Sequence, residues 1–373
     1  MRISLLALIT LLLWDVSFAQ QRLRARDHGV TPGILTPGKW NAITDVEGLK
    51  VGHTTLISGE NVRTGVTMIL PHEGDLYKSR VPAAVFVGNG FGKAVGFTQI
   101  QELGEIETPI GLTNTLSIHT VANAITDYTL RRNENARSVN PTVGETNDGY
   151  LNDIRGRHIQ FKHVFDAIES AESGPVQEGN VGAGTGTRAL GFKGGIGTSS
   201  RVLPSDLGGY TVGVLVQSNF GGVLTIDGAP VGEELKNHYL ANRVPYDVDG
   251  SVMIIVATDA PITSRNLERL AKRAFLGISR VGGFASNGSG DYVIAFSTNE
   301  GVRNNQNELL HTISELDNNA MTPLFLAAVE ATEEAILNSL FKAEDTSGHL
   351  GEQKALPIPE VLEVLKKYNV IKE

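Results

Sequence analysis

A chain of 373 residues with no cysteine must carry out any nucleophilic chemistry through an oxygen or an amine. Ser251 is the residue best placed for it. It follows Asp249-Gly250 and opens the apolar run Val252-Met253-Ile254-Ile255-Val256-Ala257. A serine at the start of a buried strand, directly after glycine, has the arrangement of an N-terminal nucleophile. The glycine tolerates a strained backbone, which lets the serine oxygen attack the preceding carbonyl. Cleavage frees the α-amine of Ser251, whose ordinary pKa of roughly 8 suits a general base near neutrality without any histidine. A Gly-Ser pair before a strand is also the composition of a plain turn, and the dipeptide alone leaves both readings open.

Other familiar chemistries are weaker. Gly182-Ala183-Gly184-Thr185-Gly186 has its third glycine one residue early for a dinucleotide loop and no clear strand before it, so it reads as a flexible loop. Gly92-Lys93 lacks the spacing and the hydroxyl residue of a phosphate loop. The nine histidines sit singly, and His72-Glu73 has no second histidine at metal-helix spacing, so no metal site is expected. Gly288-Ser289-Gly290 lacks the outer positions of a nucleophile elbow.

The elements that must hold Ser251 are short strands and ordinary helices. Residues 83–87, 210–217, 252–257 and 292–296 are rich in Val, Ile and aromatics and read as strands, several apolar enough to be covered on both faces. Leu267, Leu270, Ala271, Ala274, Phe275 and Ile278 recur at helical spacing. Thr322-Pro323 starts a second helix, and residues 360–368 form a third. Glycine clusters at 88–92, 182–186 and 194–197 read as loops, and 345–359 has the composition of a linker. The pattern is an α/β protein whose buried strands are covered by helices.

Composition narrows the partners. With 41% hydrophobic residues the chain can bury a full core, and 32 basic against 41 acidic residues give a net charge of −9, which argues against nucleic-acid binding. Met1-Arg2, the apolar run Ile3–Trp14 and Ser17-Phe18-Ala19 have the form of a signal peptide cut after Ala19, shorter than the ~20 residues that span a bilayer. The mature chain is then expected to start at Gln20, to be exported, with a periplasmic location, and to keep no membrane anchor.

The residues around Ser251 resemble a known family. Residues 250–261 (GSVMIIVATDAP), 265–271 (RNLERLA) and 287–291 (NGSGD) look like the autoprocessed serine aminopeptidases grouped with L-aminopeptidase D-Ala-esterase/amidase and the β-peptidyl aminopeptidases. The similarity extends back through 41–48 (NAITDVEG), 51–55 (VGHTT), 63–67 (RTGVT), 107–110 (ETPI), 143–146 (VGET) and 149–153 (GYLND), in order along nearly the whole mature chain.

That resemblance implies a four-layer αββα sandwich, similar in layers to N-terminal-nucleophile hydrolases but wired differently. It implies self-cleavage between Gly250 and Ser251, giving residues 20–250 as an α chain and 251–373 as a β chain of one catalytic domain, assembled as a tetramer of αβ heterodimers. By the same match Ser251 is the nucleophile and Asn219 holds the oxyanion, a neutral donor aimed at developing charge. Ser289 and Asp291 orient and polarise the nucleophile, alternate residues of an extended segment that share a face and point at Ser251. Asp291 either holds the α-amine or relays through Ser289. Glu145 holds the substrate's ammonium, and Tyr150 lines the same pocket. The implied activity is removal of N-terminal residues from small peptides, aminoacyl amides or esters, with no cofactor; pocket shape decides between α-, β- and D-residues. Two other readings stay open: an acyltransferase like the self-cleaving ornithine acetyltransferases, disfavoured because those use threonine, and a non-enzymatic periplasmic binding protein of the same fold.

Overall fold

The computed structural model describes residues 22–241, 250–305, 309–310 and 312–372. The expected signal segment 1–19, and Asp249 before the expected cut, lie outside the described residues.

Nine strands, five principal helices and some short pieces build the core. The strands are β1 Lys50–Ser58, β2 Val62–Leu70, β3 Ser79–Gly90, β4 Ile110–Asn114, β5 Thr142–Thr146, β6 Gly195–Val202, β7 Thr211–Asn219, β8 Gly250–Thr258 and β9 Ser289–Ser297. The helices are α1 Ile118–Arg132, α2 Phe161–Glu169, α3 Ser264–Ala274, α4 Thr322–Phe341 and α5 Ile358–Lys367. One sheet has the order β1-β2-β4-β5; the larger runs β3-β9-β8-β7-β6, with short edge strands on β3. All neighbours are antiparallel except β4/β5 and β8/β9.

The layering follows from which residues each strand turns to which side. Val252, Ile254 and Val256 of β8 pack with Leu267, Leu270 and Ala331 of α3 and α4 on the outer face of the large sheet. Met253, Ile255 and Ala257, the alternate residues, pack with Ile69, Ile110 and Leu112 of the small sheet. Val66 and Met68 then face Val121, Ile125, Val164 and Ala167 of α1 and α2. The order is α3/α4, large sheet, small sheet, α1/α2, which is the expected αββα sandwich. Two-sided burial explains why β8 reads as a continuous apolar run rather than an alternating one.

Two glycine clusters depart from the loop reading. Gly195 and Gly197 lie inside β6, because α4 crosses the sheet closely there: a Cβ on Gly197 would come within 1.9 Å of Ala335 O and 2.6 Å of Ser339 N. Gly88–Gly90 form the end of β3, where a register shift at Asp291/Tyr292 marks a β-bulge. Nor is 345–359 a linker. It makes a short hairpin, Thr346–Ser347 with Glu352–Gln353, then buries Leu356 in the core. Helix α4 is further tied to β6 by Arg201, wholly buried, whose guanidinium reaches Glu330 at 3.1 Å and Glu334 at 2.7 Å. Among the described residues no helix is long and apolar enough to cross a membrane.

Candidate active site

The β7–β8–β9 register assembles the site. Ser251 stands opposite Asn219 across the antiparallel β7/β8 pair and beside Gly290 across the parallel β8/β9 pair. Ser251, Asn219, Ser289, Asp291 and Glu145 are all buried, Asn219 being the most exposed at 6%.

The space around Gly250 calls for a glycine. A Cβ there would meet Asn219 O at 2.7 Å and Phe220 Cα at 2.8 Å, so the glycine lets the end of β7 approach the Gly250–Ser251 peptide.

Asn219 is oriented from two directions. Arg188 donates its backbone N–H to Asn219 Oδ1 at 3.0 Å, which fixes the amide flip and leaves the Nδ2 hydrogens as the outward donors. Two residues earlier, Gln217 Nε2 donates to Thr113 O, Thr146 Oγ1 and Ala183 O, pinning β7 to the small sheet.

Ser289 and Asp291 do share a face, and Ser289 Oγ donates to Asp291 Oδ1 at 2.6 Å. The register corrects where that face lies. Ser289 aligns with Gly250 and Asp291 with Val252, so strand alternation puts the pair on the side of the sheet opposite the Ser251–Asn219 side. Asp291 meets β8 through the backbone, accepting the Val252 N–H. Burial raises its carboxyl to about 6, with the Ser289 and Val252 bonds opposing, and its Oδ2 is buried without a partner. Ser251 is flanked in the large sheet by Asn219 on β7 and Gly290 on β9, with Ser289 and Asp291 on the opposite face.

Glu145 lies on β5, where its carboxylate accepts Lys93 N–H at 2.9 Å and the Thr115 hydroxyl. Burial raises its pKa against both bonds. Tyr150 lines a cavity of about 290 Å³ with Arg188, Leu190, Asn219, Phe220 and Leu350, and Glu145 is not among the lining residues.

Three supporting residues were not singled out from sequence. Asn89 Nδ2 donates to Ser286 O, Asn287 O and Ser289 O, holding the turn that leads into β9. Its signal was its place between Gly88 and Gly90, where a side chain at a bulge has a reason to be polar. Lys193 is fully buried and donates Nζ to Gly184 O at 3.0 Å and Gly194 O at 2.7 Å; burial lowers its pKa to about 7, with Asp148 opposing. Asp148 is likewise pushed up to about 7 by burial. A lone lysine among glycines reads as exposed, and no sequence signal marks it as buried. Arg188 is the third. Among the described residues no group of three or more His, Asp or Glu is placed to hold a metal ion.

Residues 41–354 match the model of peptidase family S58. The chain belongs to this family. It is 44% identical to the β-peptidyl aminopeptidase BapA of Sphingosinicella microcystinivorans over 368 residues, covering 92% of each chain. Among solved structures it resembles a Burkholderia sp. β-aminopeptidase, with TM-score 0.86, 41% identity, and 92% of this chain and 99% of the other covered. It resembles equally the L-aminopeptidase D-Ala-esterase/amidase of Ochrobactrum anthropi, with TM-score 0.86, 36% identity, and 94% and 99% covered. That enzyme is described as a prototype for the serine aminopeptidases and a new variant among the Ntn hydrolase fold. Membership of S58 makes the chain a hydrolase, an aminopeptidase acting on peptide substrates.

Proposed function

We propose that this S58 aminopeptidase activates itself by cutting Gly250–Ser251 and then uses Ser251 as an N-terminal nucleophile on short peptides, aminoacyl amides and esters. The carrying observation is the register that sets Ser251 opposite Asn219 on β7 and beside the β9 segment that holds the buried Ser289–Asp291 pair.

In self-cleavage Ser251 Oγ attacks the Gly250 carbonyl carbon, and the C–N bond breaks as nitrogen takes the proton given up by oxygen. Water then hydrolyses the ester, leaving a Gly250 carboxylate and a free amine on Ser251. During turnover that amine accepts the Oγ proton as the hydroxyl attacks the substrate carbonyl. It returns the proton to the departing amine, and water releases the acyl group in a second round. The Asn219 Nδ2 hydrogens stabilise the tetrahedral oxygen. Asp291, through Oδ2 and through Ser289, holds the amine and sets its basicity. Glu145, positioned by the Lys93 N–H and the Thr115 hydroxyl, binds the substrate ammonium, which restricts the enzyme to free N-termini.

The apolar segment before Gln20 is what supports an exported, periplasmic enzyme. A tetramer of αβ heterodimers is the assembly that the family resemblance supports. The decisive assay is hydrolysis of an aminoacyl p-nitroanilide: the wild type releases nitroaniline and Ser251→Ala does not. Equal rates for the two proteins would refute the reading.

A further inference from the structure

Arg188 touches the site with its backbone, yet its side chain has no role in the steps above. Its guanidinium lies over the Tyr150 ring, 4.0 Å from the centroid, half-buried on the wall of the 290 Å³ cavity that Asn219 also lines. Among the described residues it makes no ion pair and no side-chain hydrogen bond, and none of the residues lining the cavity is acidic. Asp148, between the lining residues Asn147 and Gly149, is turned inward and accepts from Asn152 Nδ2 at 3.0 Å. Stacked arginines keep their charge and leave the edge of the fork free for a planar anion.

The placement selects the anion. The attacked carbonyl must put its carbon at Ser251 and its oxygen at Asn219. From that point the substrate extends two ways, toward its ammonium and toward its leaving group. An unpaired guanidinium repels an ammonium, and Glu145 is not on this cavity's wall. The cavity therefore lies on the leaving-group side. Its volume, near the lower end of the ~300–1,000 Å³ typical of ligand pockets, holds about one amino-acid residue.

We propose that Arg188 is a specificity-determining residue that binds the free C-terminal carboxylate of the residue being released, with Tyr150 as its stacking platform. This makes the enzyme selective for dipeptides over their amides and over longer peptides. It rests on the functional reading above and reassigns Tyr150 from the ammonium pocket to the leaving-group pocket.

The test compares kcat/KM for a dipeptide with that for the same dipeptide as its C-terminal amide, in the wild type, Arg188→Lys and Arg188→Gln. In the wild type the acid is expected to be favoured at least about tenfold, as charge-assisted bidentate bonds exceed neutral ones. Arg188→Gln brings the ratio near one, and Arg188→Lys, a charge without the fork, falls between. A wild-type ratio near one, or a ratio unmoved by Arg188→Gln, overturns the proposal. A measurement on the wild type alone guards against variants that fail to fold: inhibition of p-nitroanilide hydrolysis by a free amino acid and by its amide. The free acid is expected to inhibit at least about tenfold more tightly; equal inhibition overturns the assignment. Should the wild type release no nitroaniline at all, the aminopeptidase reading of Ser251 falls, and this proposal with it.

Discussion

Ser251 and Asn219 face each other as the last cross-strand pair of β7 and β8, one residue from the Gly250 peptide. Directly opposed residues of an antiparallel pair have Cβ atoms about 5 Å apart. A carbonyl carbon at the serine oxygen thus leaves its own oxygen within reach of the asparagine amide, and the preceding Gly250 packs against the same end of β7. One pairing serves both the self-cleavage and the turnover proposed.

Because Arg188 N–H already holds Oδ1, Asn219 should act through its Nδ2 donors. Asn219→Ala is expected to lower kcat by roughly 10²–10³ with little change in KM. Asn219→Asp keeps the acceptor for Arg188 but removes the donor, and is expected to lose at least as much. Steady-state kinetics of the two variants checks this. An active Asn219→Asp enzyme would mean that the Arg188 bond, not the donor, is what matters.

Asp291 gives a pH signature in the uncleaved chain. Its folded pKa of about 6 lies above the ordinary 3.8, so folding favours the protonated form. Stability is fully present below pH 4 and is lost as pH rises toward 6, by about 3 kcal/mol in all. Thermal unfolding of Ser251→Ala between pH 4 and 7 should show this slope, and adding Asp291→Asn should flatten it. In the processed enzyme the new ammonium of Ser251 offsets the buried charge, and the slope is expected to shrink.

Lys193 anchors the glycine-rich segment beside the site. Lys193→Met leaves the buried Gly184 and Gly194 carbonyls without their donor, at a cost of about 1–3 kcal/mol each. A lower urea midpoint, with the slope unchanged, is the expected result. The depressed pKa of about 7 means that the wild type gains stability from this group as pH rises from 7 toward 10, a gain the variant lacks.

Gly197→Ala tests the close crossing of α4 over β6. The added carbon would overlap the Ala335 carbonyl oxygen at 1.9 Å, backbone against backbone, so relief requires moving the helix. The cost should lie at or above the upper end of the ~1–3 kcal/mol usual for overpacking, seen as a lower melting temperature.

Much of this was legible in the sequence, for physical reasons. Strand β8 is apolar without a break from Val252 to Ala257 because both faces are covered, and α4 announces itself with Thr322-Pro323 at its start. Ser251, Asn219, Ser289 and Asp291, named from motif matches, do come together at the ends of β7, β8 and β9. Relations between strands were not legible in this way. The pairing of Ser251 with Gly290, which puts Ser289 and Asp291 across the sheet from the serine side chain, depends on a parallel register fixed by packing. Glycine misled at Gly195, Gly197 and Gly88, because close approach of another element calls for the same residue as a turn does. Buried Lys193 and stacked Arg188 were silent for a related reason: the partners that define them come from distant segments.

The central claim is that Ser251 becomes a chain terminus. The most direct test is the denatured intact mass of the purified protein, with N-terminal sequencing of the smaller species. The expected result is two fragments, one ending at Gly250 and one beginning Ser-Val-Met-Ile, and a single uncut chain from Ser251→Ala. An active wild-type enzyme that runs as one uncut chain would contradict the account.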